Sequence, residues 1–329
     1  MGTRQVICCA ALAACGGGGG TQASWSVVAK DQPSALLSVW GQAANDMWVV
    51  GGDPRDGSGP IVEHFDGSAW TKLDSGQRNV DLWAVHGFPD GTVYMSGTDG
   101  TILSYKNGTF TKMTTPGSLV VFGLWGQTSN DVWAVGGNRG GGAGGFAWRY
   151  DGTSWGSDAA VPADLVSMGT CWKVGGESAS DVWISGTNGA TLHWDGSALT
   201  RMDVPVEASL FSVAGNSERF ITVGGAFDGV IYENAGTGWV SALPSGGPLL
   251  TGVNVSADDA YAVGQFGTIL RRGADGTWAV DGDPVTQQNL HATFIDPSGD
   301  AWAVGGQFDA TPMTAGVLVH KGETQGGMF

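Results

Sequence analysis

The chain has 329 residues, of which 57 are Gly and 15 are Trp, while only 14% are charged. This composition is typical of many short buried strands joined by tight turns, and it argues against long helices. The net charge of −16 argues against nucleic acid or an anionic membrane face as a partner, because both are bound by clustered Lys and Arg. We expect cations or basic partners instead.

The N-terminus has the pattern of an export signal. Arg4 precedes an apolar stretch at 6–14 that is too short to cross a bilayer as a helix. The end of this stretch and Cys15 form Leu-Ala-Ala-Cys, which resembles the lipobox of bacterial lipoproteins. The resemblance implies a signal peptide at 1–14, cleavage before Cys15, acylation of that residue, and a Gly-rich tether completing the segment 15–23.

The same resemblance predicts the location of the protein. Two or more acyl chains hold a protein stably at a membrane, so the anchor would be its only membrane contact. Gly16, and not an acidic residue, follows Cys15. The resemblance thereby favours the outer membrane over the inner one. We expect a lipid-anchored protein of the bacterial cell envelope.

Cysteine usage argues against a disulfide in the mature domain. Cys8 and Cys9 leave with the signal and Cys15 is lipidated, so Cys171 remains alone. Within the sequence repeat, Cys171 occupies the position that Leu36 occupies in the first repeat. We therefore expect a small buried core residue and not a nucleophile.

A sequence repeat occupies the rest of the chain. Seven times an apolar run is followed by a short polar turn and an aromatic-apolar-Val-Gly strand, with a period of about forty residues. This is the length of a four-stranded propeller blade. We predict one domain over 24–322 and a C-terminal tail at 323–329. The ends of the first apolar runs are Gly41, Gly87, Gly126, Gly176, Gly215, Val255 and Ile295.

Four strands are predicted in each repeat, and in the first they cover 36–41, 47–51, 61–65 and the residues from Trp70 onward. A two-residue hairpin is expected between the third and fourth strands, because Asp-Gly and Asn-Gly readily adopt positive φ. These pairs begin at Asp66, Asn107, Asp151, Asp195 and Asp275. A Trp follows on the outer strand and should pack between blades, as at Trp70, Trp155, Trp239 and Trp278.

The seventh repeat indicates how the ring closes. Its third strand is predicted near 316–320, and no Trp-bearing fourth strand follows. Residues 24–28 (SWSVV) resemble a fourth strand that the first blade does not use. The predicted fold is therefore all-β: a seven-bladed β-propeller of four-stranded blades, with the last blade closed by the N-terminal strand, which removes exposed sheet edges.

The Asp-Gly turns followed by Trp, together with the Asp-x-Trp-Ala-Val-Gly strands, are similar to the neuraminidase (Asp-box, or BNR) repeat and Ycf48-like families of bacterial β-propellers. The similarity covers about 24–322. A full Asp box has Ser or Thr two residues before the Asp and Gly two after it, and His64 and Ser68 depart from that pattern around Asp66. The resemblance implies architecture only, since such propellers include enzymes, lectins and assembly factors.

The sequence contains no motif that matches the catalytic sites of known propeller enzymes. A sialidase-like site needs three Arg on a carboxylate with a Tyr and an acid, and a copper oxidase needs a Tyr-Cys crosslink. We predict no catalytic residue, cofactor or metal ligand. His64, His193 and His320 share one repeat position, too far apart for one metal. The acids before second strands are expected to cap turns: Asp46, Asp131, Asp181, Asp259 and Asp300.

The loops between second and third strands are expected to be long in blades one, three, five and seven, and to share one face with the links between blades. The Gly-rich loop of blade three, 138–145, is predicted to be mobile. The loops of neighbouring blades seven and one are predicted to form one surface, because function concentrates in loops on rigid scaffolds. The candidate ligand or partner contacts are Arg55, Asp56, Arg139, Phe308, Asp309 and Met313.

The sequence favours a non-catalytic protein-binding or assembly module of the cell envelope. Its partner would be an envelope protein or an extracellular glycan. The alternative is a carbohydrate-binding or carbohydrate-active propeller using the same face. A cluster of Arg, Tyr and acid at the channel mouth would favour the enzyme, whereas apolar loop tips would favour a protein partner.

Overall fold

The computed structural model describes residues 23–157, 161–243 and 246–322. Within these ranges the strands form seven antiparallel sheets of four strands each. The predicted seven-bladed β-propeller is therefore confirmed. Cys15 and the predicted C-terminal tail lie outside the described residues.

In blades one to four, consecutive strands pair from the axis outward. Blade one contains β2 (Leu36–Ala43), β3 (Asp46–Gly51), β4 (Val62–Phe65) and β5 (Trp70–Lys72). Blade two contains β6 (Leu82–Gly87), β7 (Val93–Gly97), β8 (Ile102–Lys106) and β9 (Thr109–Lys112). Blade three contains β10 (Val120–Thr128), β11 (Asp131–Gly137), β12 (Phe146–Tyr150) and β13 (Trp155–Ser157). Blade four contains β14 (Cys171–Ser178), β15 (Asp181–Gly186), β16 (Thr191–Trp194) and β17 (Leu199–Arg201).

Blades five and six continue this order, and blade seven ends on the N-terminal strand. Blade five contains β18 (Ser209–Asn216), β19 (Arg219–Gly225), β20 (Gly229–Asn234) and β21 (Trp239–Ser241). Blade six contains β22 (Leu250–Val255), β23 (Ala260–Gly264), β24 (Ile269–Arg272) and β25 (Trp278–Val280). Blade seven contains β26 (Asn289–Ile295), β27 (Ala301–Gln307), β28 (Thr314–Lys321) and β1 (Ser26–Gln32). Two short helices connect strands: α1 (Ala163–Met168) and a 3₁₀ turn (Gln265–Gly267).

The N-terminal strand closes the ring as predicted. β1 pairs antiparallel with β28, with Ser26 opposite His320. Just before β1, the Trp25 indole donates a 2.7 Å hydrogen bond to Asp281 of the link between blades six and seven. The Lys321 ammonium donates to the same carboxylate at 2.7 Å. The seam therefore has buried apolar and charged contacts in addition to the strand ladder.

The Trp residues of the outer strands pack between blades, as expected. The Trp70 ring meets Trp302 of blade seven with centroids 6.2 Å apart, and Trp155 meets Tyr94 of blade two at 6.4 Å. Cys171 is fully buried, and burial raises the pKa of its thiol to about 12. The outer-strand Trp residues and Cys171 therefore all pack in the core.

The sequence predicts that the acids at the start of second strands cap turns. In the structure their carboxylates instead bind side chains across the blade. Asp46 accepts hydrogen bonds from the Trp48 indole at 3.2 Å and from the His64 ring at 2.8 Å, and His64 stacks on Trp48. In blade three Arg149 takes the place of the His, with two bonds to Asp131 at 2.7 and 2.9 Å. The Asp-x-Trp motif thus joins second and third strands.

The hairpins after third strands also differ from expectation. Asn107-Gly108 is a two-residue turn, because Lys106 pairs with Thr109. Around Asp66, however, four residues separate paired Phe65 and Trp70. The Asp66 carboxylate accepts the amide protons of Ser68 and Ala69, which stabilises the longer loop. Four residues also separate the paired strands at Asp151 and Asp195, and five do so at Asp275.

Candidate functional site in the axial channel

A β-bulge interrupts the first strand of every blade at the same position. The residue before the bulge is fully buried between sheets in each blade, as with Leu36 and Leu210. The bulged residue has no partner on the second strand, and six of the seven bulged side chains line the channel. The bulged residues, from blade one to blade seven, are Leu37, Trp83, Phe122, Trp172, Phe211, Thr251 and His291.

These residues surround a cavity of about 520 Å³ on the propeller axis. Its walls are uneven. Aromatic rings form a contiguous series on one side, with centroids 5.1 Å apart for Trp83 and Phe122, 5.0 Å for Phe122 and Trp172, and 5.5 Å for Trp172 and Phe211. Blades four to six contribute small residues such as Gly175, Ala214, Thr251 and Gly252. The open space results from these small side chains.

Lys173 is the cation inside this cavity. It directly follows the bulge of blade four, where the other blades have Ser, Ala or Gly. Within the described part of the chain its ammonium has neither an ion pair nor a hydrogen bond with protein. Burial lowers its pKa to about 8, because the surrounding protein removes water from the charged form. Lys173 is partly exposed, and its exposed part faces the cavity that it lines.

Two His residues face the same space and are neutral. Burial, reinforced by the charge of Lys173, lowers the pKa of His291 to about 4, and burial likewise lowers that of His86 to about 4. His291 donates from Nδ1 to the Leu37 carbonyl at 2.5 Å, and His86 donates from Nε2 to the Gly126 carbonyl at 3.0 Å. Because a carbonyl can only accept, each ring keeps its second nitrogen as an acceptor.

The loops of blades three and seven meet over the mouth of the channel. The Arg139 guanidinium donates to the Phe308 carbonyl at 2.8 Å and to the Thr311 hydroxyl at 2.9 Å. It also lies 5.4 Å from the centre of the Trp83 ring. The Gly-rich loop, expected to be mobile, is therefore bound to blade seven through Arg139.

The predicted contact residues fall into two groups. Phe308 and Asp309 line the mouth beside Arg139, and Met313 is fully buried under them against Leu37 and Trp83, so its side chain presents no surface to a partner. Arg55 and Asp56 lie in the blade-one loop. Arg55 binds Asp81 of the next link at 2.8 Å, while Asp56 is exposed. The structure thus joins the loops of blades seven and three, whereas Arg55 binds Asp81, next to the first strand of blade two.

Among the described residues, the most exposed aromatic side chains lie on the same face, in blades five and six. Phe227 is 96% exposed and Phe266 is 62% exposed, each in the loop between second and third strands. Phe266 has a φ of 57°, unusual for a non-Gly residue. The link between these blades carries Leu249, which lines the cavity. The blade-five loop, expected to be long, has only three residues between paired Gly225 and Gly229.

Sequence reasoning missed Lys173 and the exposed aromatic pair as site residues. The signal for Lys173 is a single cation in a first strand at a position otherwise occupied by small residues. The signal for Phe266 is an aromatic residue in a loop otherwise made of polar and Gly residues, GQFGT at 264–268. Neither signal shows which residues line the same cavity, because the sequence does not reveal where the strands bulge.

Comparisons with known proteins identify the fold but no family. Neither the family models nor the curated proteins match this chain. Solved structures that resemble it include Ycf48 bound to a D1 peptide, with 13% identity, a TM-score of 0.64 and coverage of 92% of this chain and 100% of that one. Virginiamycin B lyase from Staphylococcus aureus has 12% identity and a TM-score of 0.69, covering 90% and 98% of the two chains. The WD40 propeller of Doa1 has 12% identity and a TM-score of 0.67, covering 90% and 97%.

The chain is thus a seven-bladed propeller with a loop-bearing face and an axial cavity. Of the arginines within the described ranges, Arg139 has no carboxylate partner. The other seven pair with carboxylates, and at most two of them, Arg219 and Arg272, share one, Glu233. A three-Arg carboxylate grip is therefore not assembled there. The described residues contain no cluster of three potential metal ligands, and no helix among them is long and apolar enough to span a membrane.

The cost of placing Lys173 in the channel can be measured. Because its pKa is lowered to about 8 in the folded protein, the unfolded chain binds more protons between about pH 8 and pH 10.5. The cost is therefore full below pH 8 and disappears toward pH 10.5. Lys173→Met should raise the free energy of unfolding by about 1–3 kcal/mol at about pH 7, and by less at about pH 10, in urea titrations.

A matched control is available on the surface. Lys112 is exposed, so Lys112→Met should change the free energy of unfolding by less than about 0.5 kcal/mol at either pH. A Lys173→Met variant that is destabilised equally at both pH values would contradict the assignment of Lys173 as an unpaired internal cation.

Proposed function

We propose that this protein is a non-catalytic protein-binding module that engages its partner with the face bearing the loops between second and third strands. The observation that carries this proposal is the exposure of Phe227, at 96%, beside Phe266 on the next blade. A soluble domain gains nothing in its own stability from such a side chain, whereas burial against a partner would remove it from water. One structural neighbour supports this proposal, since Ycf48 was solved with a D1 peptide bound.

Charge indicates the partner's chemistry. Asp228, Asp283 and Asp309 are exposed on this face and have no ion pair within the described residues. Arg55 and Arg201 of the same face are already bound by carboxylates. With a net charge of −16, the face fits a basic partner with apolar side chains.

We further propose that the module is anchored at the bacterial cell envelope through Cys15. The export-signal pattern and the lipobox-like segment of the sequence support this proposal. The tether at 16–20 would let the ring reach an envelope protein near the outer membrane. Acylation adds affinity for the membrane without requiring a membrane-spanning segment. The partner would then be an envelope protein, and a glycan is the alternative.

Crosslinking capture from the native envelope, followed by mass spectrometry, tests the partner-binding face. We expect the full chain to recover a specific protein, and Phe227→Ser with Phe266→Asn to recover it at least about tenfold less, because the apolar contacts are lost. Asn tolerates the positive φ at 266.

The matched control replaces two exposed residues of outer strands, Val240→Ser and Val280→Ser, which are 63% and 66% exposed. This control should retain the partner. Equal recovery by all three proteins would refute the proposed face. Recovery of no specific protein, together with saturable binding in a glycan screen, would favour the carbohydrate-binding alternative.

The anchor has a separate test. In detergent phase partitioning, the native chain should enter the detergent-rich phase, and Cys15→Ser should remain in the aqueous phase because it has no thiol to acylate. The intact mass of the mature N-terminus checks the acylation directly. Partitioning of both proteins into the same phase would contradict lipidation at Cys15.

A further inference from the structure

Lys173 makes no contribution to the fold that would explain its position. The equivalent residues of other blades are Ser38, Ala84, Gly123 and Ser212, so the strand does not need a long side chain there. Partly removing from water a cation that has no counter-ion costs free energy. An anion entering the channel would remove this cost by pairing with the ammonium.

The walls specify what else such an anion must carry. Trp83, Phe122, Trp172 and Phe211 line the lumen with aromatic rings, which favours a flat apolar body. Further along the same first strands, Gly175 and its small neighbours leave the space that such a body would fill. The volume of about 520 Å³ lies within the range of small-molecule sites.

The other polar groups limit the charge of the ligand. His86 and His291 are neutral and offer acceptor nitrogens, so they favour a ligand with a hydrogen-bond donor and provide no second positive charge. Arg139 at the mouth is occupied by Phe308 and Thr311. One cation therefore faces the lumen, which suits a single negative charge better than a phosphate dianion.

We propose that the axial channel is a binding site for a small aromatic carboxylate, with Lys173 as the counter-ion and the rings of Trp83 and Trp172 as the apolar wall. Entry is through the mouth, where Arg139, Phe308 and Asp309 form the rim. The site is independent of the partner-binding face, because Phe227 and Phe266 do not line the cavity.

Calorimetric titration of the full chain with naphthalene-2-carboxylate tests this inference. We expect one saturable site, with at least about tenfold weaker binding of naphthalene-2-carboxamide, since the neutral amide cannot pair with the ammonium. Near pH 8, binding should take up about half a proton, because the carboxylate favours protonated Lys173. Repeating the titration in buffers of different ionisation enthalpy measures this uptake.

Two variants distinguish the contribution of the Lys173 charge from that of the open volume of the channel. Lys173→Met should lose both the preference for the carboxylate and the proton uptake, while Lys112→Met should keep them. Thr251→Phe places an aromatic residue at a bulged position, as four other blades already do, and should block binding by filling the lumen while leaving Lys173 in place.

The inference would be overturned by equal binding of carboxylate and carboxamide, by unchanged binding by Lys173→Met, or by the absence of saturable heat with any aryl carboxylate. Competition by inorganic phosphate as strong as that by naphthalene-2-carboxylate would also overturn it, since it would assign the site to a free anion without an aromatic body. None of these results bears on capture through Phe227 and Phe266, so the two proposals fail separately.

Discussion

The bulge in each first strand is the constraint from which the channel follows. A regular strand alternates its side chains, so it would send every second residue between the blades. The bulge adds one residue that turns toward the axis while its predecessor, such as Leu36 or Leu290, stays fully buried in the sheet packing. Repeated in seven blades, the bulge separates residues that hold the ring together from residues that line its axis. The size of those seven side chains then decides how much of the axis is filled.

Polar residues follow the same division between structure and function. Asp46 and Asp131 bind bases on the neighbouring strand of their own blade, and Asp281 binds Trp25 and Lys321 across the seam. These pairs are satisfied within the fold and leave little charge available for chemistry. Lys173 differs, because the described residues provide it with no partner. The site is therefore defined by an unsatisfied group in a concave space, and not by a sequence motif.

The sequence predicts the architecture well because each blade repeats the same local signals. The forty-residue period and the missing fourth strand of the last repeat are sufficient for the blade count and for closure by 24–28. Turn details are predicted less well: Asp66-Gly67 suggests a two-residue hairpin, yet the Asp carboxylate stabilises four residues by accepting two amide protons. The site depends on contacts between blades far apart in sequence, such as Arg139 with Phe308, and no local pattern encodes them.

Lys173 titrates inside the channel and is paired with no carboxylate of the described residues. The most direct measurement is a pH titration of the lysine side-chain NMR resonances, with Lys173→Met used to assign the signal of Lys173. We expect the resonance absent from the variant to titrate near pH 8. Titration of that resonance at the ordinary lysine value of about 10.4 would show that Lys173 is hydrated or paired, and would rule out an unpaired internal cation.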